Sequence, residues 1–169
     1  AELAAWNEDH ACGAPLAQAA VPPAFVEQLT ARAQGNPFYI EELINYLNDR
    51  GIEPTDVQAL TGLDLPTSLH SLILSRIDQL TESQKITIKV ASVIGRLFRV
   101  RWLWGAYPSL GPEPQVKADL NTLDRLDLTP EDQPEPEPIY IFKHIVTEEV
   151  AYESLLTAMR TQFHGNLAH

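Results

Sequence analysis

Apolar residues recur every three to four positions along most of this chain, and the breaks in that rhythm fall at prolines and glycines. Val21-Pro22-Pro23 closes off whatever precedes it, and Phe25, Val26, Leu29 and Ala33 then share one helical face. Gly35 ends that helix. Pro37 suits the first turn of the next, where its missing N–H costs nothing, and Ile40, Leu43, Ile44 and Leu47 continue at helical spacing to a stop at Gly51. Residues 52–65 hold Pro54, Thr55, Asp56, Thr61, Gly62 and Asp64 among few periodic apolar positions and read as a connecting loop. After Pro66, the positions Leu69, Leu72, Ile73, Ile77 and Leu80 predict an amphipathic helix whose stripe needs a partner. Thr81 is placed to cap a fourth helix carrying Ile86, Val90, Val93 and Ile94 up to Gly95.

The second half reads differently. A short helix is expected from Val100 to Tyr107, broken by Pro108, Gly111, Pro112 and Pro114; its Trp102 and Trp104 are expected in the core, with an exposed binding anchor as the alternative. Val116, Leu120, Leu123 and Leu126 predict another amphipathic helix. A β-hairpin should follow, its first strand around residues 126–129, an extended and solvated acidic tip at 130–138, and its second strand at 139–142. Tyr152, Leu155, Leu156, Met159 and Phe163 then predict one helix over residues 148–168 with no stop signal, as if a longer helical region continued. The fold class expected is mainly α: a small helical bundle over residues 1–80, then a winged-helix-like domain with one β-hairpin over 81–169.

Charge narrows the partners. Twelve Lys and Arg against twenty-three Asp and Glu give a formal net charge of −11, which repels polyphosphate backbones at long range. The helix before the hairpin carries Lys117 and Arg125 against Asp119 and Asp124, and the hairpin tip carries four acids, so a DNA-reading role is disfavoured and no nucleic-acid partner is expected. No apolar run approaches the roughly 18 residues of a membrane span, and no membrane partner is expected. Ala1 to Trp6 show no secretory signal and read as an internal boundary of a longer protein; the single Cys12 forms no internal disulfide, and a cytoplasmic location is expected. The histidines and Cys12 show no metal-ligand spacing, no G-x-S-x-G elbow is present, and no catalytic residue or metal is predicted.

Four stretches together carry a family resemblance. They are Gln34-Gly35-Asn36-Pro37-Phe38-Tyr39-Ile40-Glu41-Glu42-Leu43; Leu65-Pro66-Thr67-Ser68-Leu69 leading into Ser75-Arg76-Ile77-Asp78-Gln79-Leu80; Lys89-Val90-Ala91-Ser92-Val93-Ile94-Gly95-Arg96-Leu97-Phe98; and Phe142-Lys143-His144-Ile145 followed by Glu149-Val150-Ala151-Tyr152-Glu153-Ser154-Leu155-Leu156. In this order they resemble the AAA-related STAND class of signal-transduction ATPases, of the kind fused to nucleotide cyclases, protein kinases or transcription regulators. The first resembles the G-x-P segment of the helical lid, the third the first helix of the winged-helix domain, and the fourth the strand-to-helix junction that holds a nucleotide-sensing histidine. Residues 100–114 match no part of the pattern. No G-x-x-x-x-G-K-[ST] loop is present, so the resemblance implies a phosphate-binding half upstream and a segment that is not an enzyme by itself.

The resemblance further implies that Gly35 and Pro37 pack beside adenine and that His144 reaches the β-phosphate, with ATP or ADP and Mg²⁺ held by the upstream P-loop domain. Its partners would be that domain and an attached effector such as a cyclase, with oligomerisation on activation as one output. Histidine titrates near neutrality and donates well to phosphate when charged. Each position also has a plainer reading. Gly35 and Pro37 suffice as a helix stop and start, His144 as a ring satisfying a carbonyl, Asn36 and Tyr39 as surface residues, and Arg76 and Arg96 as members of solvated helix faces. A protein-interaction module without nucleotide dependence is the competing function.

Overall fold

The computed structural model describes residues 23–53, 56, 65–106, 110–134 and 136–167. These form eight helices and three short strands: α1 (Pro23–Ala33), α2 (Pro37–Asp49), α3 (Leu69–Asp78), α4 (Glu82–Ile94), β1 (Leu97–Arg99), α5 (Val100–Ala106), α6 (Glu113–Arg125), β2 (Glu131–Gln133), β3 (Ile139–Ile141), α7 (Ile145–Glu153) and α8 (Thr157–Leu167). The chain is mainly helical, with one small antiparallel sheet in the order β1-β3-β2.

Local chemistry sets the helix starts. Asn36 caps α2 by accepting from the Phe38 amide at 3.1 Å, with Pro37 in the first turn as its fixed φ favours. Ser68 and Ser71 form a reciprocal capping box at α3, and Thr81 and Gln84 do the same at α4. Gly95 ends α4 at φ +129, a conformation that a side-chain-bearing residue adopts only with strain.

Two apolar clusters result. Phe25, Tyr39, Leu43, Tyr46 and Leu47 pack with Leu65 and Leu72 in one; the larger gathers Ile73, Ile77, Ile88, Phe98, Leu103, Leu120, Leu123, Phe142 and Val150 among others. Helix α3 contributes to both, since Leu72 faces the first and its chain neighbour Ile73 faces the second. Much of the 52–65 loop, His10, Cys12, Tyr107 and His169 lie outside the described residues.

Several expectations need correction. The sheet has three strands, because Leu97–Arg99 pairs with β3 in the register Leu97↔Ile141, Phe98↔Tyr140 and Arg99↔Ile139. Residues 126–129 are the C-terminal cap of α6 and not a strand: Asp127 takes φ +58, and the Leu128 and Thr129 amides both donate to the Leu123 carbonyl. The strand is instead Glu131–Gln133, inside the stretch expected as a solvated tip. The far side of that tip is pinned as well, because Glu137 lies 3.2 Å from Arg99 and 3.1 Å from Arg101. The C-terminal helix is two helices, divided at Ser154-Leu155-Leu156. Trp102 and Trp104 are 38% and 45% exposed, since the short α5 turns Val100 and Leu103 inward and the two tryptophans outward.

Candidate functional site

Strand β3 delivers the site. Phe142, fully buried, follows its last residue, and the Phe142 amide donates to the Arg96 carbonyl at 2.8 Å. That anchor fixes where Lys143 and His144 leave the sheet. His144 adopts an extended conformation as the N-cap of α7, with its carbonyl accepting from Thr147 at 3.0 Å. Its side chain does not turn back to cap the helix and instead packs toward α2, beside a terminus whose amides carry partial positive charge.

The facing wall comes from the start of α2. Gln34 and Gly35 both take positive φ, at +48° and +82°, which lets the Asn36 amide return to the Ala33 carbonyl at 2.8 Å. A Cβ on Gly35 would meet nothing within 4 Å, so backbone conformation and not crowding selects glycine there. Phe38, one residue past Pro37, is half exposed, and its ring centroid lies 4.8 Å from that of His144 in a tilted arrangement.

One turn further along α2, two carboxylates meet the same corner. Lys143 Nζ lies 2.5 Å from Glu41 Oε1 and also binds the Asp127 carboxylate. His144 Nε2 lies 3.3 Å from Glu41 Oε2 and 3.9 Å from Glu42 Oε1; it is buried and makes no hydrogen bond of good geometry, and the same is true of Glu42 Oε1. The other Glu42 oxygen accepts from Arg76 Nη1 at 2.5 Å. Burial opposes the Lys143 charge, but hydrogen bonds to Asp127 and Glu41 outweigh it and hold the ammonium pKa above its ordinary value.

Between these walls is a cleft of about 180 Å³. Arg96, Lys143 and His144 line it together with apolar surface from Phe38, Leu69, Ile73 and the first turn of α7. Arg96 is exposed and forms no close ion pair with another described residue. Glu148, one turn into α7, has an unpartnered buried oxygen, and burial raises its carboxyl above the usual range against the opposing charge of Arg96. The corner therefore combines cationic side chains, a helix N-terminus and an aromatic edge, a set suited to a small anion carrying an apolar neighbour.

The structure thus brings His144 against the segment that follows Gly35 and Pro37, through Phe38. Gly35 and Pro37 themselves lie on the exposed turn. Asn36 is a helix cap, and Tyr39 is neither a surface residue nor free for a ligand: it is buried, with its hydroxyl donating to the Pro66 carbonyl at 2.6 Å. Arg76 departs most from expectation, being buried and bonded to Glu42, to Asp49 at 2.8 Å and to the Leu126 carbonyl at 2.5 Å. Glu41, Lys143 and Phe38 escaped notice as site residues, although all three lie within the quoted motifs. The one available signal was that a Glu-Glu pair and a Lys-His pair stand in the first and the fourth of the quoted stretches.

Elsewhere, Asp119 does not offer its charge to solvent. It is buried and accepts from Ser83, Thr87 and Gln115 at 2.6, 3.1 and 3.1 Å. A second groove of about 230 Å³ runs beside Trp104, Pro136 and Pro138. Among the described residues no helix is long and apolar enough to cross a membrane. No protein-family model, curated protein or solved structure matches the chain.

Proposed function

We propose that this chain is the lid and winged-helix-like segment of a larger STAND-class switch, and that it closes over ADP or ATP held by an upstream phosphate-binding domain. The observation that carries this reading is His144: a histidine at the N-cap position of α7 with a buried, unbonded Nε2, set beside Lys143 and Arg96 and facing the segment behind the Gly35-Asn36-Pro37 turn. The order α4-β1-α5-α6-β2-β3, with β3 between β1 and β2, supports the winged-helix assignment of the second half.

In this reading the upstream domain supplies the P-loop and the Mg²⁺, and this chain supplies recognition. His144 donates to a phosphate oxygen, Lys143 and Arg96 add charge, and the Gly35–Pro37 turn covers the base. At about 180 Å³ the cleft is smaller than the roughly 300–1,000 Å³ of whole small-molecule sites, so it takes one end of a nucleotide and leaves the rest to the other domain. ADP holds the lid shut because it binds the closed form more tightly, and exchange for ATP shifts the population toward an open form that oligomerises or releases an attached effector such as a cyclase. The segment itself performs no chemistry.

The test is the ADP affinity of the protein extended upstream through its phosphate-binding half, compared with its His144→Ala variant. A loss of about tenfold or more with folding intact supports the reading, since a charged hydrogen bond is worth roughly 1.5–3 kcal/mol. Equal affinities overturn it. A second reading, a nucleotide-independent interaction module, draws on the partly exposed Trp102 and Trp104, and it predicts an effector or partner complex insensitive to nucleotide.

A further inference from the structure

We propose that Glu41 is a built-in competitor for the anion: its carboxylate occupies Lys143 and His144 while no phosphate is bound, and must leave before one can bind. This rests on the reading of the cleft as a phosphate site and adds to it a regulatory contact within the chain.

The geometry is specific to Glu41. One of its oxygens lies 2.5 Å from Lys143 Nζ and the other 3.3 Å from His144 Nε2, close but without a hydrogen bond of good geometry to that ring nitrogen, so a single carboxylate stands against both groups where phosphate oxygens would bind. Its neighbour Glu42 is locked by Arg76 and almost wholly buried, whereas Glu41 is about a quarter exposed and has solvent to swing into. Asp127 binds Lys143 as well, so the ammonium keeps a partner when Glu41 departs. Arg96, which forms no close ion pair with another described residue, is then a cation that a first phosphate meets without displacing an acid bonded to it.

Two consequences follow. Anion binding and the attachment of α2 to the β3–α7 junction draw on the same two side chains, so occupancy of the cleft and closure of this contact oppose each other by a shared free energy. The chain also reports an empty site by its own closed contact, with no second ligand needed.

The experiment titrates this chain with inorganic pyrophosphate and follows the His144 imidazole resonances by NMR, comparing the wild type with Glu41→Gln. Removing the competing charge is expected to tighten pyrophosphate binding at His144 by about five- to tenfold. Glu41→Asp, which keeps the charge but shortens its reach, should fall between the two and serves if the Gln variant fails to fold. Equal affinity in wild type and variants, with His144 responding in each, overturns the competitor role and leaves the phosphate site standing. No response of His144 in any of them overturns both.

Discussion

Arg76 Nη1 donates to Glu42 at 2.5 Å with both side chains only 1% exposed, and so joins α3 to α2 through a charge pair sealed from water. The same guanidinium donates from Nε to Asp49, two turns further along α2, and from Nη2 to the Leu126 carbonyl at the end of α6. Three elements therefore meet on one planar cation, which its fork of donors allows and a lysine would not.

Removing one member of this pair should cost more than removing both. Arg76→Met is expected to destabilise the fold by about 3–5 kcal/mol, because it leaves Glu42 charged and buried without a partner. Arg76→Met combined with Glu42→Leu should recover much of that loss. Urea unfolding of Arg76→Met, Glu42→Leu and the double variant decides; a double variant as unstable as the sum of the single ones would show that the pair is not coupled.

Leucines within one half of the chain should differ sharply. Leu103 on α5 is fully buried, and Leu103→Ala is expected to cost about 2–5 kcal/mol through lost transfer energy and a cavity. Leu156, between α7 and α8, is 71% exposed, and Leu156→Ala should stay within about 0.5 kcal/mol of the wild type. Thermal unfolding of the two variants, read against the wild type, tests whether α5 is seated as described despite its outward tryptophans.

How much of this was legible in the sequence depends on the range of the forces involved. The helices α1 to α4 and α6 announce themselves through caps and a three-to-four rhythm, as with Thr81 before α4 and Pro37 within the first turn of α2. Strand β1 is three residues long, too short for alternation to register, and exists because Phe98 can pair across to Tyr140. Strand β2, Glu131-Asp132-Gln133, is exposed throughout and is held by backbone pairing and by the Glu131 amide donating to Asp124 at 3.0 Å. Arg76 looked like a surface residue because its partners lie 27, 34 and 50 positions away. At the site, the placing of His144 between a strand and a helix was legible; the acids of α2 that face it were not, since no local pattern says which helix will be opposite.

Glu148 should give the fold a distinct response to pH. Burial raises its carboxyl pKa above the ordinary 4.5, so the folded chain takes up this proton more readily than the unfolded one. The stability it contributes is fully present below 4.5 and is lost as pH rises through the higher folded value. Glu148→Gln, which cannot ionise, is therefore expected to be more stable than the wild type at neutral pH, with the two converging as the medium becomes acidic. Unfolding curves at several pH values check this; an advantage that persists unchanged into acid would place its origin in packing and not in the charge.

The division of α3 between the two apolar clusters has a mechanical meaning. Leu72 and Ile73 are consecutive, so their side chains leave the helix about 100° apart, and each is committed to a different body of packed residues. A helix seated this way behaves as a shared axle. It cannot roll to suit one body without unseating the other, and it packs directly against both α2 and α7. The seating of one apolar cluster on α3 is therefore not independent of the seating of the other.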